Sequence, residues 1–153
     1  MKRVGALAAA SAALALTACG APAPKGISHD LLETAINGAI GDPNTCVLIG
    51  DAKSGRVVYQ FGSHVSCGRA WPGCDGGADR TTDALLKSTI RGGPPVRSSC
   101  PSNADGSRGV GWAAGFIGGH PELAYAATME GKSTPPGVII ADKLETAFKA
   151  AGL

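Results

Sequence analysis

Four cysteines restrict the folds open to this chain more than any other part of the sequence: Cys46, Cys67, Cys74 and Cys100. In an exported chain an even set of this size pairs into two disulfides. The spacings of 21, 7 and 26 residues lack the paired C-x-x-C units typical of zinc sites, so no metal site is predicted. Three pairings are compatible with the spacing alone. We therefore expect a small, disulfide-linked domain.

The N-terminal residues have the order of an export signal. Lys2 and Arg3 precede an apolar run over 4–16, and small residues lead into a fifth cysteine. The sequence Leu16-Thr17-Ala18-Cys19 resembles the lipobox of bacterial lipoproteins. This resemblance implies a signal peptide over 1–18 and lipid attachment at Cys19. The alternative is an ordinary secretory signal that is cleaved nearby and leaves a free thiol at that cysteine.

A lipidated cysteine implies an exported protein anchored to a membrane of the cell envelope. Gly20 follows the cysteine where an aspartate often marks retention in the inner membrane. By resemblance, the outer membrane facing the periplasm is therefore favoured if the host is Gram-negative. No second apolar segment approaches the length of about 20 residues that a spanning helix needs.

Cleavage before Cys19 leaves 135 residues, which suit one domain with a single core. Residues 19–27 form a proline-containing linker, and the domain covers 28–153. This mature part has 12 basic and 12 acidic side chains, so it has no net charge to attract polyanions. Nucleic acid is not an expected partner, and no cofactor is predicted.

The spacing of apolar residues and turn residues predicts the elements of the domain. They are a helix over 28–40, strands over 45–50 and 56–61, a loop over 62–78, a helix over 79–91, strands over 96–100, 107–117 and 123–129, and a helix over 135–152. The order α-β-β-insert-β-β-β-α predicts an α+β domain. We expect a small antiparallel sheet of about five strands with the N- and C-terminal helices packed on it.

Two stretches resemble the sheet domain of the penicillin-recognising family, the serine β-lactamases and penicillin-binding transpeptidases. Residues 47–59 are similar to its first hairpin, and residues 105–153, including Gly111-Trp112-Ala113-Ala114-Gly115-Phe116, are similar to its last strands and closing helix. In the family's strand order two strands separate the first strand from the third. The resemblance therefore implies pairing of Cys46 with Cys67 and of Cys74 with Cys100.

The catalytic sequences of that family are incomplete in this chain. Its Ser-x-x-Lys nucleophile corresponds to Ser66-Cys67-Gly68-Arg69, and arginine remains protonated, so it cannot act as the base. Its Lys-Thr-Gly corresponds to Arg97-Ser98-Ser99, and its Ser-x-Asn has no match. The weak catalytic candidates are thus Ser66, Arg69, Arg97, Ser98 and Ser99. The resemblance implies a reduced relative without enzymatic activity.

Trp71 and Arg69, two residues before it in the cysteine-containing loop, are candidate binding residues. An indole on a loop held by disulfides offers a stacking surface for a sugar or an apolar side chain. The alternative is that Trp71 covers the core at the end of the sheet. Trp112 is expected in the core.

We expect a membrane-anchored envelope lipoprotein that binds or supports a cell-wall component, such as peptidoglycan or a cell-wall protein, without catalysis. One alternative is a serine acyl-enzyme protein acting on β-lactams or stem peptides. A second alternative is a small-molecule sensor domain.

Overall fold

The computed structural model describes residues 22–153. The elements in chain order are α1 (His29–Ile40), β1 (Cys46–Asp51), β2 (Val57–Phe61), α2 (His64–Gly68), α3 (Thr82–Ile90), β3 (Val96–Pro101), β4 (Gly109–Ile117), β5 (His120–Gly131) and α4 (Gly137–Ala151). None of these helices is long and apolar enough to span a bilayer. The predicted signal peptide and the lipidation site at Cys19 lie outside the described residues.

The five strands form one antiparallel sheet in the order β2-β1-β5-β4-β3. Strands β5 and β4 thus separate β1 from β3, as the strand order of the penicillin-recognising family implies. The α+β class, the five strands and the terminal helices on the sheet are confirmed. Strand β5 is the central strand, and β4 lies between it and the edge strand β3.

Helices α1 and α4 cover one face of the sheet. Helix α1 begins after Ser28, whose hydroxyl accepts a hydrogen bond from the Leu31 amide, and it buries one apolar stripe. Helix α4 ends at Gly152, which has φ 95° and closes the last turn in the left-handed conformation. The two helices and the facing strands form one core. Its helix residues include Leu32, Ile36, Ile40, Ile140, Leu144 and Phe148, and its strand residues include Val47, Ile49, Tyr59, Phe61, Ala113, Tyr125 and Ala127.

Helices α2 and α3 cover the other face, together with the loop that joins them. Small strand residues let α3 approach the sheet closely: a Cβ atom on Gly50 would lie only 2.9 Å from Ile90 Cδ1. Leu85 and Leu86 of α3 pack into this second core. Trp112 lies at its centre with no exposed surface, as predicted.

The segment predicted as a loop over 62–78 contains a helical turn, which apolar periodicity does not indicate. Helix α2 forms because the Ser63 hydroxyl accepts from the Ser66 amide and Cys67 is anchored to the sheet. Helix α3 begins at Thr82 rather than at residue 79, because Arg80 pairs with Trp71 in an isolated bridge.

Strand β5 is longer than the predicted strand over 123–129. Gly118 and Gly119 form a tight turn, with Gly119 at φ 83°, and this turn brings His120 opposite Ile117. At the other end Gly131 pairs with Gly109, so the strand continues past Met129. The bounds of β5 are therefore set by the turn and by pairing with β4, and not by the strand propensity of its end residues.

Candidate functional site

Two disulfides fix the segment between β2 and α3 to the sheet. Cys46 of β1 is bonded to Cys67 of α2, with Cα atoms 5.0 Å apart. Cys74 is bonded to Cys100 of β3, with Cα atoms 5.3 Å apart. This is the pairing that the family resemblance implies. The segment is therefore attached at β1 and at the edge strand β3, and it crosses the face of the sheet between them.

Trp112 of β4 is covered by this segment. Its indole Nε1 donates a hydrogen bond of 2.7 Å to the Pro72 carbonyl. The Arg80 guanidinium lies 5.1 Å from the centre of the ring, a cation–π arrangement. Arg80 also donates a hydrogen bond to the Asp75 carboxylate. The pKa of this carboxyl lies below its usual value, mainly because of the hydrogen bond from the Gly77 amide and secondly because of the Arg80 charge. These contacts hold the chain in place over the second core.

Trp71 and Arg69 lie on the outer side of the same segment and form what we name the Arg69–Trp71 surface. The Arg69 guanidinium is 4.9 Å from the centre of the Trp71 ring. Trp71 exchanges two backbone hydrogen bonds with Arg80, of 3.0 and 2.9 Å. Its side chain is half-buried and packs against the second core, so one part of the indole supports the fold and another remains exposed.

Ser66 does not have the environment of an activated nucleophile. Its hydroxyl donates to the Pro43 carbonyl at 3.1 Å and shares a hydrogen bond of 2.7 Å with the Ser63 hydroxyl. Neither partner is a base that can remove a proton at neutral pH. Helix α2 is bonded to β1, and β1 lies three strand spacings, about 14 Å, from β3. The structure does not bring Ser66 together with the serines of β3.

The three candidate residues of β3 point to opposite faces of the sheet. Ser98 lies opposite Trp112, whereas Arg97 and Ser99 lie opposite Ala113 and Gly111 on the α4 face. Ser98 Oγ is buried and has no hydrogen-bond partner among residues 22–153. No described side chain is placed to activate it, so the predicted triplet does not form one reactive site.

Arg97 lies on the α4 face, where its Nη1 is 3.8 Å from a carboxylate oxygen of Asp142. Both side chains are at least half exposed, so this ion pair is loose. Arg97 thus retains hydrogen-bond donors for another group.

Sequence analysis missed a buried polar cluster around Glu130. This residue is 2 % exposed and lies on the same face as Trp112. It accepts hydrogen bonds from Arg108 Nε and Nη2 at 2.6 and 2.7 Å, from Ser102 at 2.8 Å and from Asn44 at 3.1 Å. The Arg108 hydrogen bond is the main reason why the pKa of the Glu130 carboxyl is lowered. These donors come from two turns that are far apart in sequence, so the cluster acts as a structural clamp on β5.

The described residues hold no group of three or more histidine, cysteine, aspartate or glutamate side chains placed to bind a metal ion. No protein-family model matches the chain, and neither the curated proteins nor the solved structures contain a match.

Proposed function

We propose that this protein is a non-catalytic, lipid-anchored domain of the bacterial cell envelope that binds peptidoglycan through the Arg69–Trp71 surface. The observation that supports this proposal most directly is the half-buried indole of Trp71, which keeps an exposed part, is held by backbone bonds to Arg80 and is flanked by the Arg69 guanidinium. Two disulfides fix the surrounding segment. Little conformational entropy is lost when such a rigid aromatic group binds.

The chemistry of the surface suits a peptidoglycan strand. An indole face packs against the apolar face of a sugar ring, and a guanidinium pairs with the carboxylates of lactyl groups and stem peptides. Arg69 has no ion pair with a carboxylate among the described residues, so its charge is available. The lipid on Cys19 and the linker over 19–27 would keep the domain close to this polymer, which is the arrangement that the lipobox implies.

Co-sedimentation of the full chain, purified in detergent, with isolated peptidoglycan sacculi tests the proposal. We expect Trp71→Ala to weaken binding about tenfold, because the stacking surface is lost. Trp71→Phe should retain part of the affinity, and Arg69→Gln should weaken binding less than Trp71→Ala. Phe116→Ala is the matched control, since it removes another aromatic side chain that is 45 % exposed.

Equal binding by wild type and Trp71→Ala would contradict the proposed surface. A stable covalent adduct after incubation with benzylpenicillin would contradict the non-catalytic assignment and support the serine acyl-enzyme alternative. The hydrogen bonds of Ser66 to Ser63 and Pro43, and the absence of a base beside Ser98 within residues 22–153, argue against that adduct.

A further inference from the structure

A partly enclosed cavity of about 190 Å³ lies between the sheet and the C-terminal half of α4. It is on the α4 face, opposite the face that carries the Arg69–Trp71 surface. The Tyr125 and Phe148 rings meet edge to face in its wall, with centroids 5.2 Å apart. Arg97, Glu145 and Lys149 supply charged groups to the lining. An aromatic wall beside a few charged groups is the usual composition of a small-molecule site.

The cavity results from the way in which β3 starts. Val96, the first residue of β3, pairs with Ala114 of β4. Strand β4 therefore continues past the start of β3, and Gly115 has no β3 residue beside it. Gly115 has no side chain to fill the space: a Cβ atom there would lie 3.7 Å from the Tyr125 ring and 4.0 Å from Pro95. The space above the tyrosine ring is therefore a consequence of sequence and register together.

The polar groups of this cavity are available to a ligand. Burial and the charges of Arg97, Glu145 and Asp142 all act on the pKa of the Tyr125 hydroxyl, which places these groups close to it. The hydroxyl has no hydrogen bond within the described residues. A tyrosine hydroxyl is a neutral donor at physiological pH, and burial raises the pKa of Tyr125 further above that range. Lys149 is paired with Glu145 at 3.2 Å, whereas the ion pair of Arg97 is loose. Both cations keep free N–H donors, but only Arg97 presents the planar pair of donors that matches a carboxylate.

We propose that this cavity binds a small molecule with one planar ring and a carboxylate, with the ring against Tyr125 and the carboxylate on Arg97. The planar guanidinium matches a carboxylate through two parallel hydrogen bonds. A cavity of about 150 Å³ accommodates benzene, so this one has room for a single ring and one small substituent. The Tyr125 hydroxyl donates a further hydrogen bond to one oxygen of the same carboxylate. This site is independent of the proposed peptidoglycan surface.

Benzoate is the probe, and calorimetric titration of the full chain in detergent is the measurement. We expect saturable binding of wild type with a dissociation constant of about 1 mM, as for other ligands of this size. Arg97→Gln should weaken binding about tenfold, since a charged hydrogen-bond pair is lost. Tyr125→Phe, which keeps the ring, should weaken it a few-fold. Benzyl alcohol, which lacks the carboxylate, should bind wild type about tenfold more weakly than benzoate.

Arg91→Gln is the matched control because Arg91 is an exposed arginine at the end of α3, on the other face. It should bind benzoate like wild type. Unfolding temperatures close to that of wild type would show that the variants are folded. No saturable binding, or equal affinity of wild type and Arg97→Gln, would overturn the proposal. Loss of affinity in Arg91→Gln would overturn it too, because the effect would then not belong to this cavity.

Discussion

Glu130 is a charged residue in a nearly water-free position, and its charge is balanced by Arg108 within the molecule. Four hydrogen bonds to this carboxylate connect three separate parts of the chain: the turn before β1, the turn between β3 and β4, and β5 itself. Removing one partner of a buried pair leaves the other uncompensated, which costs more than the pair contributes. The clamp therefore holds this end of the sheet closed.

We expect Glu130→Gln to lower the free energy of unfolding by about 2 kcal/mol, because the amide cannot accept both Arg108 hydrogen bonds. In wild type the folded-state pKa of Glu130 lies below its ordinary value of 4.5, so the carboxylate stabilises the fold above that pH. This contribution is lost as the pH falls from about 4.5 through the lower folded-state pKa. Urea unfolding at pH 7 and in the acid range measures both effects.

The control for this variant is Glu122→Gln, since the Glu122 side chain is 59 % exposed. Its stability at neutral pH should stay within about 0.5 kcal/mol of wild type. If Glu130→Gln were as stable as wild type at pH 7, the clamp would have no energetic role.

The start of α4 approaches the sheet very closely. A Cβ atom on Gly137 would lie in steric overlap with the backbone oxygens of Ser98 and Trp112. These are main-chain atoms of paired strands, and they cannot move aside as the end of a side chain can. Glycine is thus required here because there is no room for a side chain, and not because of backbone conformation, since Gly137 does not have a positive φ.

Gly137→Ala should lower the free energy of unfolding by at least about 2 kcal/mol, because the helix must shift away from β3 and β4. Gly38→Ala is the matched control: Gly38 lies in α1 and has no heavy atom near the position of a Cβ. It should raise stability by about 0.5–1 kcal/mol through helix propensity. Thermal unfolding of both variants gives the comparison. Destabilisation of both by the same amount would contradict the argument from close approach.

Periodicity and turn residues were sufficient to predict the long elements. The apolar spacing of α1 and α4 indicates the face that each helix buries, and the alternation of large and small residues around Tyr125 indicates a strand. Helix α2 was missed because it is short and depends on the bond between Cys67 and Cys46. The disulfide pairing followed from the strand order of the resembled family, not from the spacing of the cysteines.

The candidate site was predicted only in part. Arg69 and Trp71 are sequence neighbours, so their proximity was foreseeable, and the structure places them in contact. The Glu130 clamp joins residues as far apart as Asn44, 86 positions away, and no local pattern reports such a contact. The cavity beside Tyr125 depends on where β3 begins relative to β4, which is a matter of register.

For the whole molecule, the two disulfides link strands β1 and β3, on one face of the sheet, to the segment that carries the proposed binding surface. Removal of Cys74–Cys100 by Cys74→Ala and Cys100→Ala should lower the free energy of unfolding by about 3 kcal/mol, since the bond closes a loop of 26 residues. Chemical denaturation under non-reducing conditions measures this change.

The double variant of Cys46 and Cys67 is the comparison, with a loop of 21 residues and a similar expected loss. Peptidoglycan affinity should fall in both double variants, because Cys67 and Cys74 flank the Arg69–Trp71 surface on its two sides in sequence. Unchanged stability of both double variants would contradict a structural role for the disulfides.

The hydrogen bond from Trp112 to the Pro72 carbonyl gives the protein an internal optical reporter. An indole that is fully enclosed beneath a loop emits at shorter wavelength than one in water, and its near-ultraviolet dichroism depends on a fixed surrounding. Trp71, at the surface, contributes the solvent-sensitive part of the spectrum. In a variant with Trp71 replaced by phenylalanine, the emission reports only whether the loop covers Trp112. In a variant with Trp112 replaced, it reports only changes around Trp71 at the surface, and neither measurement needs an added dye.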